Sequence, residues 1–335
     1  MTAISPTLAL ELVAEACRAP SAHNTQPARW RFTADGSAWL FEDPSRRLVV
    51  GDPTGRDQMV ALGAALEGMH LALSRRGLAL SEPQPAGAMD SAPAGLRLVA
   101  RAAIQRGPGT DPLAEQVLRR RTYRGRFAAA STEALATLRA VVDRSAGIVL
   151  IVEPGTIRTL ALEADRASAA ALAQRRYQTE LYGWIRFGRH DANWTRDGLS
   201  ADCLGWSTLE RVAARGLFRP GPFALLARLG LHRALVAEAG RIGTAAALAI
   251  VTRPPGTLDL AAGRRLYRFW LEITAAGFAA QPMSSLVDDP ASVARVRALA
   301  GVSPTVELVN VLAVGTASPE WHAVSARLPP QELLV

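Results

Sequence analysis

Two segments two hundred residues apart read alike: "SRRGLALSEP" (74–83) and "TAAGFAAQP" (274–282). Each ends a long helical pattern at a glycine, Gly77 or Gly277, then runs through an apolar residue and an alanine, Ala79 or Ala279, to a proline, Pro83 or Pro282. Glycine closes helices because it takes the left-handed backbone without Cβ strain, and proline cannot continue them. A β-branched run follows each, "LRLVARAAI" (96–104) and "TVELVNVLAV" (305–314). Helix–glycine–strand is a common pattern, so the repeat is weak alone. It predicts an α+β fold: two similar halves packed on each other within one chain, with mixed or antiparallel sheets flanked by helices. The halves are expected at 1–110 and 111–335.

Outward from these segments, residues 6–18 read as a short helix, with strands near 29–33 and 38–42. "DPTGR" (52–56) opens a helix from about 53 to 76. Its residues Met59, Leu62, Leu66, Met69 and Leu73 form the stripe of a helix buried against another helix. Strands near 78–82 and 96–104 flank a Pro/Gly/Ala-rich loop, 83–95. In the second half, "PLAEQVLRRR" (112–121), 131–143, 156–183, 257–276 and 289–299 read as helices. Strands are expected at 147–153, 244–252, 279–283 and 305–314. Segment 184–240, with three tryptophans and "FRPGPF", reads as an irregular helical insertion.

Composition narrows the function classes. All 38 basic residues are arginine, against 30 carboxylates, for a net charge of +8. A lysine-free, Ala/Arg/Gly/Pro-rich chain reflects coding bias as much as binding, and the arginines are spread out, so no nucleic-acid partner is expected. The longest apolar stretch, within 244–251, is far short of the ~20 residues of a membrane helix, and acidic residues interrupt the N-terminal apolar segment. Neither a membrane partner nor a signal peptide is expected. Cys17 and Cys203 fit no CxxC pattern, which points to a reducing, cytoplasmic setting and no structural metal. There is no GxGxxG after a strand, no GxxxxGK[ST], no HExxH and no GxSxG. His23, His70, His190, His232 and His322 stand isolated and read as structural or surface residues.

Two segments remain. "APSAHNTQPARWRF" (19–32) packs Ser21, His23, Asn24, Thr25 and Gln26 between Pro20 and Pro27. That is either a rigid loop able to read the edge of a planar polar ligand or a capped turn between helix and strand. "RRRTYRGRF" (119–127) places Arg120, Thr122 and Arg124 at alternate positions. In an extended chain these point the same way and can hold one phosphate by charge-assisted hydrogen bonds; the other reading is a solvated basic helix end.

Together the two segments resemble the PSxxNxQPW and RxSxR motifs of the flavin-dependent nitroreductase superfamily. Their order is reversed relative to ordinary members, which, with the chain length and the insertion, resembles the twin-domain branch of Acg-type FMN-binding oxidoreductases. "AVSARLPPQELL" (323–334) is similar to that family's C-terminal basic segment. Ordinary members are homodimers with FMN between subunits. The resemblance therefore implies one complete FMN site per fused chain, with the second lost, and a monomer or weak homodimer.

It further implies that Arg120, Thr122, Arg124 and Arg327 hold the phosphate and ribityl chain, and that Pro20, Ser21 and Asn24 approach the flavin from the other half. Pro282, Met283 and Ser284 would run along the flavin, the Ser284 N–H facing N5, and Arg186 would contact it. The implied activity is hydride transfer from NAD(P)H through FMN to a nitroaromatic or quinone-type acceptor, with no catalytic side chain required. The alternative is an FMN-sequestering or storage protein in which 184–240 closes over the flavin; that segment is otherwise a substrate-shaping wall or a cover remote from the site. The chain departs from the motifs at Ala28, where the family has tryptophan, and at Ser325, where it has a basic residue.

Overall fold

The computed structural model describes residues 4–85, 91–257, 259–318 and 326–335. Part of the predicted 83–95 loop, together with His322 and Ser325, lies outside the described residues.

Helix α1 (Pro6–Ala16) leads into the hairpin β1 (Ala28–Phe32) and β2 (Ser37–Glu42). Helix α2 (Arg56–Ser74) follows, then β3 (Leu78–Leu80), β4 (Gln84–Pro85) and β5 (Arg97–Arg106). The first sheet is antiparallel in the order β1-β2-β5-β3, with β4 also paired to β5. The second half starts with α3 (Thr132–Arg144) and β6 (Ile148–Ile151). A long connection carries α4 (Pro154–Ala173), α5 (Arg175–Trp184), the short parallel pair β7 (Ile185–Arg186) and β8 (Leu199–Ser200), then α6 (Thr208–Leu217), α7 (Pro220–Arg228), α8 (His232–Val236) and α9 (Ala239–Ile242). Next come β9 (Ala247–Arg253), α10 (Asp259–Ala275), β10 (Ala279–Pro282), α11 (Ser285–Asp288), α12 (Pro290–Ala300) and β11 (Glu307–Gly315). The second sheet is antiparallel in the order β10-β11-β9-β6.

With the two-residue β4 left out, so that β5 counts as the fourth strand, both sheets have the same connectivity. The first strand pairs with the second, the second with the fourth, and the fourth with the third, with a long helix between second and third. The architecture is α+β with two similar halves. They meet along α2 and α10, where Gly63 lies against Leu260 and Gly263 against Val60. These contacts exchange under a shift of 200 residues, as an internal two-fold requires. Gly77 and Gly277 sit at equivalent helix ends with φ of 67° and 85°, which explains the sequence echo.

The striped helix of the sequence reading is buried nearly all round, because sheet, α1 and α10 surround it. Three expectations are corrected. "PLAEQVLRRR" is a 3₁₀ turn over Pro112–Gln116 and no longer helix. The N–H groups of Arg119 and Arg120 both close on the Gln116 carbonyl, freeing the next residues to run extended and pair Tyr123 N–H with Ala280 O at 2.9 Å. The helix expected over 156–183 breaks at Gln174 (ψ 116°). No proline or glycine marks the break. Tertiary bonds beyond it set the direction of α5: buried Gln178 donates to Phe218 O, and Glu180 accepts from the Val50 and Gly51 amides at 3.0 and 2.7 Å. Finally, the long connection between the first two strands of the second sheet spans 152–246, where the first half uses a four-residue turn, so it is larger than the tryptophan-rich segment alone. The described helices include none long and apolar enough to cross a membrane.

Candidate functional site

A cavity of about 440 Å³ opens where the halves meet, within the range of small-molecule and cofactor sites. Val60, Ala61 and Ala64 from one face of α2, and Leu266 and Trp270 from α10, form its floor. The loop after α1, the segment 120–124, the turn after β10 and the residue Arg327 supply the polar walls.

The loop is held in a strained shape. His23, Asn24 and Gln26 have φ of 47°, 56° and 52°, conformations that L-residues avoid unless surrounding bonds over-determine them. Those bonds are present. Ser21 Oγ accepts from Gln26 N–H at 3.0 Å, and Gln26 donates to Arg196 O at 2.8 Å and accepts from Leu328 N–H at 2.9 Å. Asn24 donates to Ala326 O (3.1 Å) and accepts from Arg327 (3.0 Å). The chain end also crosses to the first half: Trp30 N–H donates to Leu333 O at 2.8 Å, and Val335 N–H to Trp30 O at 2.9 Å.

Arg120 and Arg327 converge. Both donate to the carbonyl of Arg18, at 3.2 and 3.1 Å. Arg327 spends its remaining nitrogens on Cys17 O, Ala326 O and Asn24. Arg120 is 5% exposed, rests on the Trp270 ring at 4.6 Å, and leaves Nε and Nη1 without a partner. Neither guanidinium has a carboxylate partner among the described residues. Burial, then the neighbouring Arg120 charge, draws the Arg327 pKa down to about 10, and burial lowers that of Arg120. A buried cation beside a half-buried one, without an anion, is costly. A phosphate-like ligand would reverse that cost.

Ten of the eleven expected site residues reach this cavity: Pro20, Ser21, Asn24, Arg120, Thr122, Arg124, Pro282, Met283, Ser284 and Arg327. Arg186 does not. Its guanidinium is buried in an ion pair with Asp197 (2.7 Å) and donates to Gly183 O (2.7 Å), so it ties together the β7–β8 region away from the cavity. That expectation is corrected. The insertion forms one wall through Leu199, Ser200, Trp206, Phe218 and Leu235, whereas Trp184, Trp194 and Phe223 do not line the cavity.

Some groups escaped the sequence reading. His23 faces the cavity, and burial followed by the Arg124 charge pulls its pKa down to about 4, so it is neutral at pH 7. Its place inside the loop motif was the available signal. Asp57 and Asp288 also line the cavity and share one Arg56 nitrogen at 2.7 and 2.5 Å. Burial, then the Asp57 charge, pushes Asp288 up to about 7; burial beside these carboxylates pushes Tyr177 up to about 12. These residues are 231 positions apart and carry no motif, so only the fold joins them.

At the symmetry-related position the α2–α10 pair carries an ion-pair network. Glu67, 3% exposed, accepts from Arg264 at 3.0 Å and Arg268 at 2.7 Å, and Arg268 also bonds Asp111 at 2.6 Å.

No protein-family model matches the chain. Among curated proteins, it is 34% identical over 113 residues to "Putative NAD(P)H nitroreductase acg" of Mycobacterium tuberculosis, covering 30% of this chain and 34% of that protein. Over that stretch the chain is similar to the Acg-type nitroreductases. A second M. tuberculosis protein, "Putative NAD(P)H nitroreductase Rv3131", is 45% identical over 62 residues, 18% of each chain. The matches thus span about a third of the first of these proteins and under a fifth of the second. Among solved structures, the FMN-dependent nitroreductase NfnB of Mycobacterium smegmatis in complex with NADPH covers 65% of this chain and 93% of its own, at 18% identity and TM-score 0.35. A BluB-like flavoprotein from Clostridium difficile covers 67% and 98%, at 14% and 0.36. The α+β architecture of the chain agrees with the fold that its motifs imply.

Proposed function

We propose that the chain is an FMN-dependent NAD(P)H oxidoreductase with one flavin site, in the cavity between its halves. The carrying observation is the convergence of two carboxylate-free guanidiniums, buried Arg120 and half-buried Arg327, which fits a phosphate dianion. Thr122 and Arg124, on the same segment, complete the phosphate end. Pro20, Ser21 and Asn24 hold the ribityl side from the opposite half, and Pro282, Met283 and Ser284 run along the ring. Bound FMN would supply hydride transfer between NAD(P)H and an acceptor, chemistry the twenty side chains lack. The chain's own part is to orient the cofactor, bury its phosphate and exclude water. Neutral His23 offers a ring nitrogen beside Arg124 without adding a charge.

The ion-pair network around Glu67 supports the loss of the second site and a stoichiometry of one. Because one chain supplies both halves, divided near residue 110 with the C-terminal residues crossing back, a monomer is sufficient. We place the protein in the cytoplasm, with nitroaromatic or quinone-type acceptors. Trp206, Phe218 and Leu235 on the cavity wall favour a substrate-shaping insertion. They also keep one rival open, a cover that seals FMN in and stores it.

The test is a spectrum of the purified chain followed by anaerobic NADPH or NADH. Oxidised-flavin bands that bleach within minutes support the reductase. Bands that persist support storage, and a chain that takes up no flavin overturns both.

A further inference from the structure

The inner face of the insertion borders the cavity; its outer face has a different character. Six of the eleven large aliphatic side chains that stand exposed among the described residues fall within 208–236: Leu209, Val212, Leu225, Leu229, Leu231 and Leu235. Leu209 and Val212 lie one turn apart on α6, turned away from buried Ala214 and Phe218. Leu225 and Leu229 lie one turn apart at α7, away from buried Phe223. Soluble surfaces scatter such residues singly, and a cluster marks an interaction surface.

The charge on this face is one-sided. Arg215, Arg219, Arg228 and Arg233 are exposed and form no ion pair among the described residues. The single carboxylate in 208–236 is Glu210, whose side chain is occupied in capping α6 at the Ser207 amide (2.8 Å). Exposed leucines set among unpaired arginines are the composition of segments that lie in a bilayer interface, apolar side chains in the acyl boundary and cations at acidic headgroups. A symmetric contact with a second copy would instead set the same arginines against one another, with no carboxylate to pair them. We propose that the outer face of residues 208–236 docks on an anionic lipid surface. This goes beyond the absence of a membrane partner expected from sequence, and it does not depend on the flavin reading. Because Leu235 and Val236 also line the cavity, the docking face and the cavity share a wall.

Flotation of the purified full-length chain tests it, using phosphatidylcholine vesicles with and without about 25 mol% phosphatidylglycerol at low salt. Binding at least about tenfold stronger to the anionic vesicles is expected, with release at high salt. The double variants Leu225→Glu/Leu229→Glu and Arg228→Glu/Arg233→Glu should each lose it while keeping the wild-type melting temperature. The arginine pair keeps the test open should the leucine pair disturb packing. No flotation with either vesicle overturns the proposal, as does equal flotation with both. Light scattering that shows a dimer abolished by Leu225→Glu/Leu229→Glu, without vesicle binding, assigns the face to a second copy and also overturns it.

Discussion

Replacing Gly63 by alanine puts the internal two-fold to a quantitative test. An added Cβ would sit 2.8 Å from the carbonyl carbon of Leu260, and one added at Gly263 would sit 2.8 Å from that of Val60. Both obstacles are backbone, which cannot rotate aside. To restore ordinary carbon–carbon separation, α2 and α10 must part by about 1 Å. Parting them loosens the helix pair beneath the cavity floor. Overpacking of this kind costs about 3–5 kcal/mol, and alanine's better helix propensity returns roughly 1, leaving about 2–4 kcal/mol. For a chain this long that lowers the melting temperature by about 3–6 °C. Gly63→Ala and Gly263→Ala should cost nearly the same, because their contacts are related by symmetry. The double variant should cost less than the sum, by about 1–2 kcal/mol, because one separation relieves both clashes. Gly216→Ala, with nothing within 4 Å of its added Cβ, is the control and should be neutral or slightly stabilising. Calorimetry of the four variants decides. If Gly63→Ala melts within a degree of wild type, or the two single variants differ severalfold, the close symmetric crossing is refuted.

Other expectations follow from the cavity. Arg120→Ala and Arg327→Ala should each weaken FMN about 10–100-fold in fluorescence titrations, since each removes a charge-assisted contact. Arg186→Ala should leave the FMN affinity unchanged but melt at a lower temperature, because it removes one of the two arginines paired with buried Asp197 and leaves only Arg46; a melting temperature equal to wild type would contradict the assignment. The pH dependence carries two opposed signals. Asp288 holds its proton more tightly folded than unfolded, so its contribution is full below about pH 4 and lost as pH rises toward 7. His23 resists protonation when folded, so its contribution is full above about pH 6.5 and lost as pH falls toward 4. Urea unfolding across pH 4–7 should therefore tilt toward higher stability at high pH in Asp288→Asn, and toward higher stability at low pH in His23→Gln. Slopes unchanged from wild type would show that neither group is shifted.

Much of the architecture was legible because local chemistry marked it. Ser131 caps α3 through Ala134 N–H, and the glycines at 77 and 277 end their helices. The arginine segment was legible as a motif, and Arg120, Thr122 and Arg124 all line the cavity, but so does Arg121, which the alternation did not pick out. What the sequence hid depends on contacts between distant residues. The break at Gln174 follows from bonds that Gln178 and Glu180 make with residues far along the chain. Arg186 was expected at the flavin because it falls where the resembled family has a flavin-contacting polar residue, but Asp197, eleven residues on, pairs with it. The pairing of Asp57 with Asp288 through Arg56 has no local pattern at all.

The central claim is that buried Arg120 and its half-buried neighbour Arg327 hold the phosphate that a flavin carries. Titrating the flavin-free chain with FMN and with riboflavin, which lacks only that phosphate, tests it most directly. The account predicts one FMN per chain and at least about 100-fold weaker riboflavin, with most of the difference gone in Arg120→Ala. Equal affinity for the two, or two FMN per chain, would contradict it.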